Sequence, residues 1–325
     1  MATIYVSEPI HPRVLEEIGS NAELLVGFGP QAVVYEDIAD KVDAVMLRSE
    51  KFPAARINAS SRLKVIARHG VGVDTVDVET ATQKGIVVTY CPGGNSNAVA
   101  EHVFALLLSL FRKINAGHEN LVKGPWPKAK QHLVGEELAG RTIGIVGFGE
   151  IGKIVCRIAK GFGMDVLVSD PFLNAEYIAP YQAKLVGFDE LLAQADVVSL
   201  HAPLTASTKH MINGKTLATM RPGAFLANTA RSGLVDEEAV VAALSSGQLG
   251  GAALDVIDAE QATSTSVTFG GKPIAEVPNL LVAPHVAGQT IQALLNVGTT
   301  AWQDIQAVLG GQPPRYPFKS PNTSR

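Results

Sequence analysis

The sequence predicts an α/β protein built on two doubly wound parallel sheets. Three observations predict it. Short apolar runs alternate with amphipathic stretches along most of the 325 residues, the rhythm of strands joined by crossover helices. The runs fall into two groups, one before residue 90 and one after residue 140. Those of the later group are apolar on both faces, as a sheet covered by helices on two sides requires.

In the first group, residues 4–6, 24–26, 44–47, 65–67 and 86–88 read as strands, with helices between them such as residues 12–18. Asn97 reads as the N-cap of a helix that starts at Ala98 and runs to about Leu121. That stretch is too apolar for a lone surface helix and points to burial against a second subunit, as in a homodimer. A polar segment around Trp126 follows. In the second group, residues 143–146, 166–168, 185–186, 197–200, 224–227, 252–254 and 280–282 read as strands. The pattern turns helical again from Thr290 to about Leu309.

Composition narrows the function. The chain is 46% hydrophobic and 18% charged, which suits a buried core and excludes a disordered chain. With 27 basic and 31 acidic residues it has no cationic excess to neutralise phosphates, so nucleic acid is not an expected partner. Cys91 and Cys156 form neither a disulfide framework nor a zinc spacing, and no metal site is expected. The longest strongly apolar stretch, residues 103–111, is far short of the roughly 20 residues that cross a bilayer. The first residues lack the apolar core of a signal peptide. The expectation is a soluble cytoplasmic protein with no membrane partner.

The sharpest motif is Gly147-Phe148-Gly149-Glu150-Ile151-Gly152. It follows a strand, opens a helix over residues 153–160, and precedes a second strand that ends at Asp170. That context is the dinucleotide fingerprint. Gly147 permits a tight turn, Gly149 lets backbone approach a pyrophosphate, and Gly152 lets helix and strand pack closely. The helix N-terminus offers unpaired N–H groups to the anion. Asp170 would accept from the ribose hydroxyls and repel a 2′-phosphate, which favours NAD over NADP.

Three further residues fall just past strands of the second group: Arg231, Glu260 and His285. Ligands in such sheets bind outside the carboxyl ends of strands. Arginine supplies a planar fork for a carboxylate. Histidine passes a proton near neutral pH. A carboxylate beside that histidine favours the imidazolium. Singly, each residue has a bland explanation as a surface ion pair, a solvated acid or a capped turn; the argument rests on the trio together with the glycine motif.

These motifs resemble the D-isomer-specific 2-hydroxyacid dehydrogenases. The segment from Val198 through His201, Pro203 and Thr205 to Thr208 is similar to the family's H-x-P-L-T-x-x-T run. The segment from Asn228 through Arg231 to Asp236 is similar to its N-x-x-R-G-x-x-V-D signature. Residues 251–256 and 284–288 resemble two more family segments. The resemblance implies a Rossmann NAD-binding domain, residues 98–288, inserted in a flavodoxin-like substrate domain of residues 1–97 and 289–325. It implies hydride transfer between NAD and a small 2-oxo or D-2-hydroxy acid. Arg231 would clamp the carboxylate, His285 would serve as acid and base, and Glu260 would orient it. Glu150, Ile151, His201, Pro203, Thr208, Thr229, Ala230, Asp255 and Gly288 fall on cofactor-binding positions, as do Arg231 and His285 themselves. Val71 and Gly72 lie in a loop that resembles the family's substrate-carboxylate loop, and Arg48 lies in residues 47–50, which resemble the phosphoglycerate dehydrogenase segment that offers basic residues to the substrate phosphate. Glu50 beside Arg48 is a departure, because a carboxylate repels a phosphate dianion. Gln261 stands where a proline often follows the catalytic glutamate. The resemblance leaves phosphoglycerate, hydroxypyruvate, glyoxylate and sulfonated lactate as substrates, with the phosphoglycerate or hydroxypyruvate/glyoxylate type foremost. The alternative is an NADH-sensing, corepressor-like binding protein with little turnover.

Overall fold

The computed structural model describes residues 1–261 and 266–319, apart from the side chains of residues 260 and 261. The chain divides into two compact units. Met1–Asn95 joins Gln289–Arg325 in one, and Ser96–Gly288 forms the other.

The first unit holds strands β1 (Thr3–Val6), β2 (Glu23–Val26), β3 (Ala44–Leu47), β4 (Val65–Arg68) and β5 (Val87–Thr89). They pair in parallel in the order β2-β1-β3-β4-β5. Alternate side chains serve opposite faces, as the pleat dictates. Ile4, Val6, Met46 and Val65 pack with the helices Pro12–Asn21 and Ile291–Leu309. Tyr5, Val45, Leu47 and Ile66 pack on the other side with Phe52, Ile57 and Ala81. Thr290 caps the last helix by accepting the Ala293 N–H at 3.1 Å. Chain order reverses between β1 and β3, so the loops after Val6 and Leu47 flank this sheet's switch point.

The second unit holds β6 (Thr142–Val146), β7 (Asp165–Ser169), β8 (Lys184–Leu185), β9 (Val197–Leu200), β10 (Ala224–Asn228) and β11 (Leu249–Leu254). A short hairpin, β12 (Thr268–Phe269) with β13 (Lys272–Pro273), precedes β14 (Leu280–Val282). The seven-stranded sheet is parallel, in the order β14-β11-β10-β9-β6-β7-β8. It reverses between β6 and β9. All twelve strands read from the sequence are present; the hairpin was not foreseen.

Three sequence readings need correction. Asn97 lies inside the helix Ser96–Phe111, and its side chain donates to Glu101 at 2.5 Å instead of capping. The long helix ends at Phe111: Lys113 turns left-handed at φ 51, and a separate helix, Ile114–Lys123, begins after it. The apolar face of Ser96–Phe111 needs no second subunit. Ala100, Val103, Phe104, Leu107 and Phe111 pack against Ile143, Ile145 and Val155 of their own unit. Helix Ile114–Lys123 buries none of its residues in its own unit. Among the described residues no helix is long and apolar enough to cross a membrane.

The first unit carries an acid-sensitive histidine. His69 is 5% exposed. Burial, then the Arg48 and Arg68 charges, hold its imidazole down from 6.5 to about 4. The unfolded chain binds this proton as pH falls below 6.5, and the folded chain only near 4. Stability is therefore lost across that window, by about 3 kcal/mol from this one group. Urea unfolding of His69→Gln should show a smaller loss of stability from pH 6.5 to 4 than the parent chain.

Candidate active site

The glycine motif forms the turn from β6 into the helix Glu150–Gly161. Gly147 has φ 88, and a Cβ there would meet the backbone of His201 and Ala202 at 2.9 Å. A Cβ on Gly152 would meet the Gly147 carbonyl oxygen at 2.4 Å. Nothing lies within 4 Å of the corresponding point on Gly149. Two glycines therefore let turn, helix and neighbouring loop touch, and the third leaves backbone bare at a helix N-terminus. Such a turn, at the switch point between β6 and β9, can cradle a pyrophosphate.

Asp170 follows β7 and braces the cradle. Its Oδ2 accepts the Phe148 N–H at 2.9 Å and its Oδ1 the Phe172 N–H at 3.0 Å. Each oxygen keeps a lone pair for a ribose hydroxyl. Glu150 opens the helix and pairs with Lys153 at 3.1 Å, while Ile151 is half-buried behind it. His201 N donates to the Val146 carbonyl, extending the β6–β9 ladder. Its ring Nε2 lies 2.8 Å from Ser199 Oγ, and burial lowers its pKa to about 4, so the ring is neutral. His201 Nδ1 and Thr229 Oγ1 are buried with no partner among the described residues, two polar atoms that a bound dinucleotide would satisfy. Thr208 Oγ1 donates to the Pro203 carbonyl at 2.6 Å and fixes that loop. The residues present fit NAD.

The other site loops leave one edge of the sheet. Asn228, Leu254 and Val282 stand in register on β10, β11 and β14. The ladder runs on past the strands: Asp255 N donates to Asn228 O at 2.9 Å, Ala283 N to Leu254 O at 2.8 Å and His285 N to Asp255 O at 2.9 Å. The turns carrying Arg231 and His285 thus flank Asp255. Asn228 folds the first turn, accepting the Ala230 N–H at 3.0 Å and donating to the Arg231 carbonyl at 2.8 Å. Arg231 Nη1 donates to the Ala230 carbonyl at 2.7 Å.

The second turn is unusual. His285 has φ 53, a conformation that costs about 1–3 kcal/mol for a residue with a side chain. Asp255 holds it there. The Asp255 carboxylate, 1% exposed, accepts Val286 N at Oδ1 and Ala287 N at Oδ2, both at 2.9 Å. His102 Nε2 stands 3.3 Å from Oδ1. Gly288 closes the unit. Glu260 lies in the single turn Asp258–Gln261, its side chain outside the described residues.

In the first unit, Glu8 accepts the Glu50 N–H at 2.9 Å, together with the N–H and hydroxyl of Ser49. Burial opposes the Glu8 charge, but these bonds and Arg48 outweigh it and hold the carboxyl below its ordinary range. Arg48 Nη1 donates to the Pro9 carbonyl at 2.8 Å. The Glu50 carboxylate pairs with Arg56 at 2.6 Å, which partly offsets the repulsion foreseen from sequence. Val71 and Gly72 follow β4, with Val71 41% exposed.

Residues 104–287 match the family model described as D-isomer specific 2-hydroxyacid dehydrogenase, NAD binding domain. The chain belongs to this family. A D-3-phosphoglycerate dehydrogenase from Synechocystis sp. is 38% identical over 322 residues, 99% of this chain and 56% of that protein. The TT0316 protein from Thermus thermophilus shares 33% identity with a TM-score of 0.86, over 98% of this chain and 100% of that one. A D-isomer specific 2-hydroxyacid dehydrogenase from Lactobacillus delbrueckii ssp. bulgaricus, solved with NAD, is 28% identical with a TM-score of 0.77, over 98% and 100%. The chain spans 56–60% of the length of the first curated relatives it matches.

For this dehydrogenase family member, the sequence singled out the glycine motif but missed the clamp. Asp255 read as a cofactor contact, and no local motif tied His102 to it. Only the fold brings them together. Gly152→Ala should weaken NADH binding at least about tenfold in a fluorescence titration, because the added methyl forces helix and turn apart.

Proposed function

We propose that the protein is an NAD-dependent D-2-hydroxyacid dehydrogenase, interconverting a small 2-oxo acid and its D-2-hydroxy acid. The observation that carries this reading is the adjacency of the Arg231 and His285 turns on one sheet edge, held through Asp255, in a matched NAD-binding domain. NAD, when bound, supplies or takes the hydride. Arg231 holds the substrate carboxylate and polarises the 2-oxo group. His285 gives a proton to the carbonyl oxygen in reduction and takes it from the hydroxyl in oxidation. Glu260 stabilises the imidazolium. The glycine motif, Asp170, Thr208, Thr229 and the His201–Pro203 loop hold the dinucleotide.

In the first unit, residues 1–95 with 289–319, we assign substrate recognition to Arg48 and to the backbone N–H groups of Val71 and Gly72. Relatives named D-3-phosphoglycerate dehydrogenase support a phosphoglycerate substrate, with hydroxypyruvate or glyoxylate next. The buried free thiols of Cys91 and Cys156 suit a reducing cytoplasm. The exposed Ile114, Leu121, Val122 and Trp126 support a homodimer in which a second copy covers them. The mass in solution at micromolar concentration should be that of two chains; a single-chain mass contradicts the dimer.

The activity is tested by following reduced nicotinamide with a panel of 2-oxo acids, using NADH and NADPH. Turnover should appear with NADH, and every chiral product should be the D-enantiomer. Arg231→Ala and His285→Ala should each lower kcat/KM by about a thousandfold or more while NADH binding survives. Wild-type rates in both variants would refute the assignment.

A further inference from the structure

Glu237 is the first residue of the helix Glu237–Ser246, yet it is not the residue that caps it. Asp236 does that, accepting the Ala239 N–H at 3.1 Å. The Glu237 side chain reaches instead to two distant backbone donors. Its Oε1 accepts the N–H of Asp258 at 2.7 Å, and its Oε2 the N–H of Gly270 at 3.0 Å. Asp258 opens the single turn Asp258–Gln261, whose third residue is Glu260. Gly270 sits at the tip of the β12–β13 hairpin with φ 52. A Cβ there would meet the Glu237 carbonyl oxygen at 2.7 Å, so only glycine lets this N–H come so close. Phe269, 1% exposed, anchors the hairpin in the core of the unit.

One half-buried carboxylate therefore holds two fixed points of the chain, one on each side of Glu260. Burial raises the Glu237 pKa, and the two N–H donors pull against that. A surface acid at a helix start would stay in water and gain the helix dipole without this loss of solvation. Binding both donors ties the turn Asp258–Gln261 to the β12–β13 hairpin.

We propose that Glu237 is the positioning residue for Glu260, fixing Asp258 at the start of the turn that carries it and tying that turn to the Gly270 hairpin. The proposal rests on the reading of Glu260 as the partner of His285. Glu237 touches neither substrate nor cofactor in this role. Its loss should therefore act on the chemical step and leave dinucleotide binding alone.

A double-mutant cycle tests this on the full chain with NADH and the best 2-oxo acid of the panel. Glu237→Ala should lower kcat about tenfold or more, while the NADH dissociation constant stays within about twofold. Glu237→Gln, which keeps one acceptor and the side-chain volume, should lose less, and it stands in if the alanine variant does not fold. In a Glu260→Gln background either change should cost under about twofold more, because there is no carboxylate left to position. Glu238→Gln, an exposed neighbour, should behave as wild type. An equal loss in both backgrounds would show a general structural role and overturn the proposal. So would wild-type kcat in both Glu237 variants alongside a damaged Glu260→Gln. If Glu260→Gln itself keeps wild-type kcat, the reading of Glu260 fails and the proposal falls with it.

Discussion

Asp255 is the constraint on which the carboxyl edge of the larger sheet depends. A carboxylate at 1% exposure is costly unless its oxygens are filled. Here Val286 and Ala287 donate to its two oxygens, and His102 stands beside one of them. Those same donors belong to the turn that starts at His285. The bonds that satisfy the buried charge thus hold the histidine in a left-handed conformation it would not choose. The same two hydrogen bonds thus serve the buried charge and the strained backbone, and they fix where an imidazole leaves the sheet.

The glycine cradle follows a complementary logic. There the fold removes side chains so that backbone can approach backbone at Gly147 and Gly152. At Gly149 it leaves space, at a helix start whose N–H groups have no partner within the helix. Asp170 is shared between the two tasks. It ties the turn through Phe148 and still presents a carboxylate at the strand end. The unit thus separates a turn of bare backbone at one switch point from the Asp255 cluster two strands away on the same sheet.

The strands were legible because a buried parallel strand is an uninterrupted apolar run, and twelve such runs stand out. Helix ends were less so. Neither glycine nor proline marks the break at Lys113, since a lysine takes the left-handed position there. The helix start at Ser96 was misread by two positions because Asn97 is a good cap by residue type. The β12–β13 hairpin has two residues per strand, too few for any periodicity. At the site, the glycine motif is local in sequence and so visible. The clamps are not: His102 meets Asp255, and Glu237 meets Asp258 and Gly270, only after the sheet has formed. Glu237 in particular looks like an ordinary acidic residue in a first helical turn.

On the proposed function, the His285 imidazole carries the proton that accompanies hydride transfer. The most direct test is kcat/KM against pH in both directions on the same enzyme. Reduction of the 2-oxo acid needs the imidazolium, so its rate should fall as pH rises through the imidazole's pKa. Oxidation of the D-2-hydroxy acid needs the neutral ring, so its rate should fall as pH drops. Two profiles that bend in the same direction, or that stay flat across the histidine range, would contradict the account.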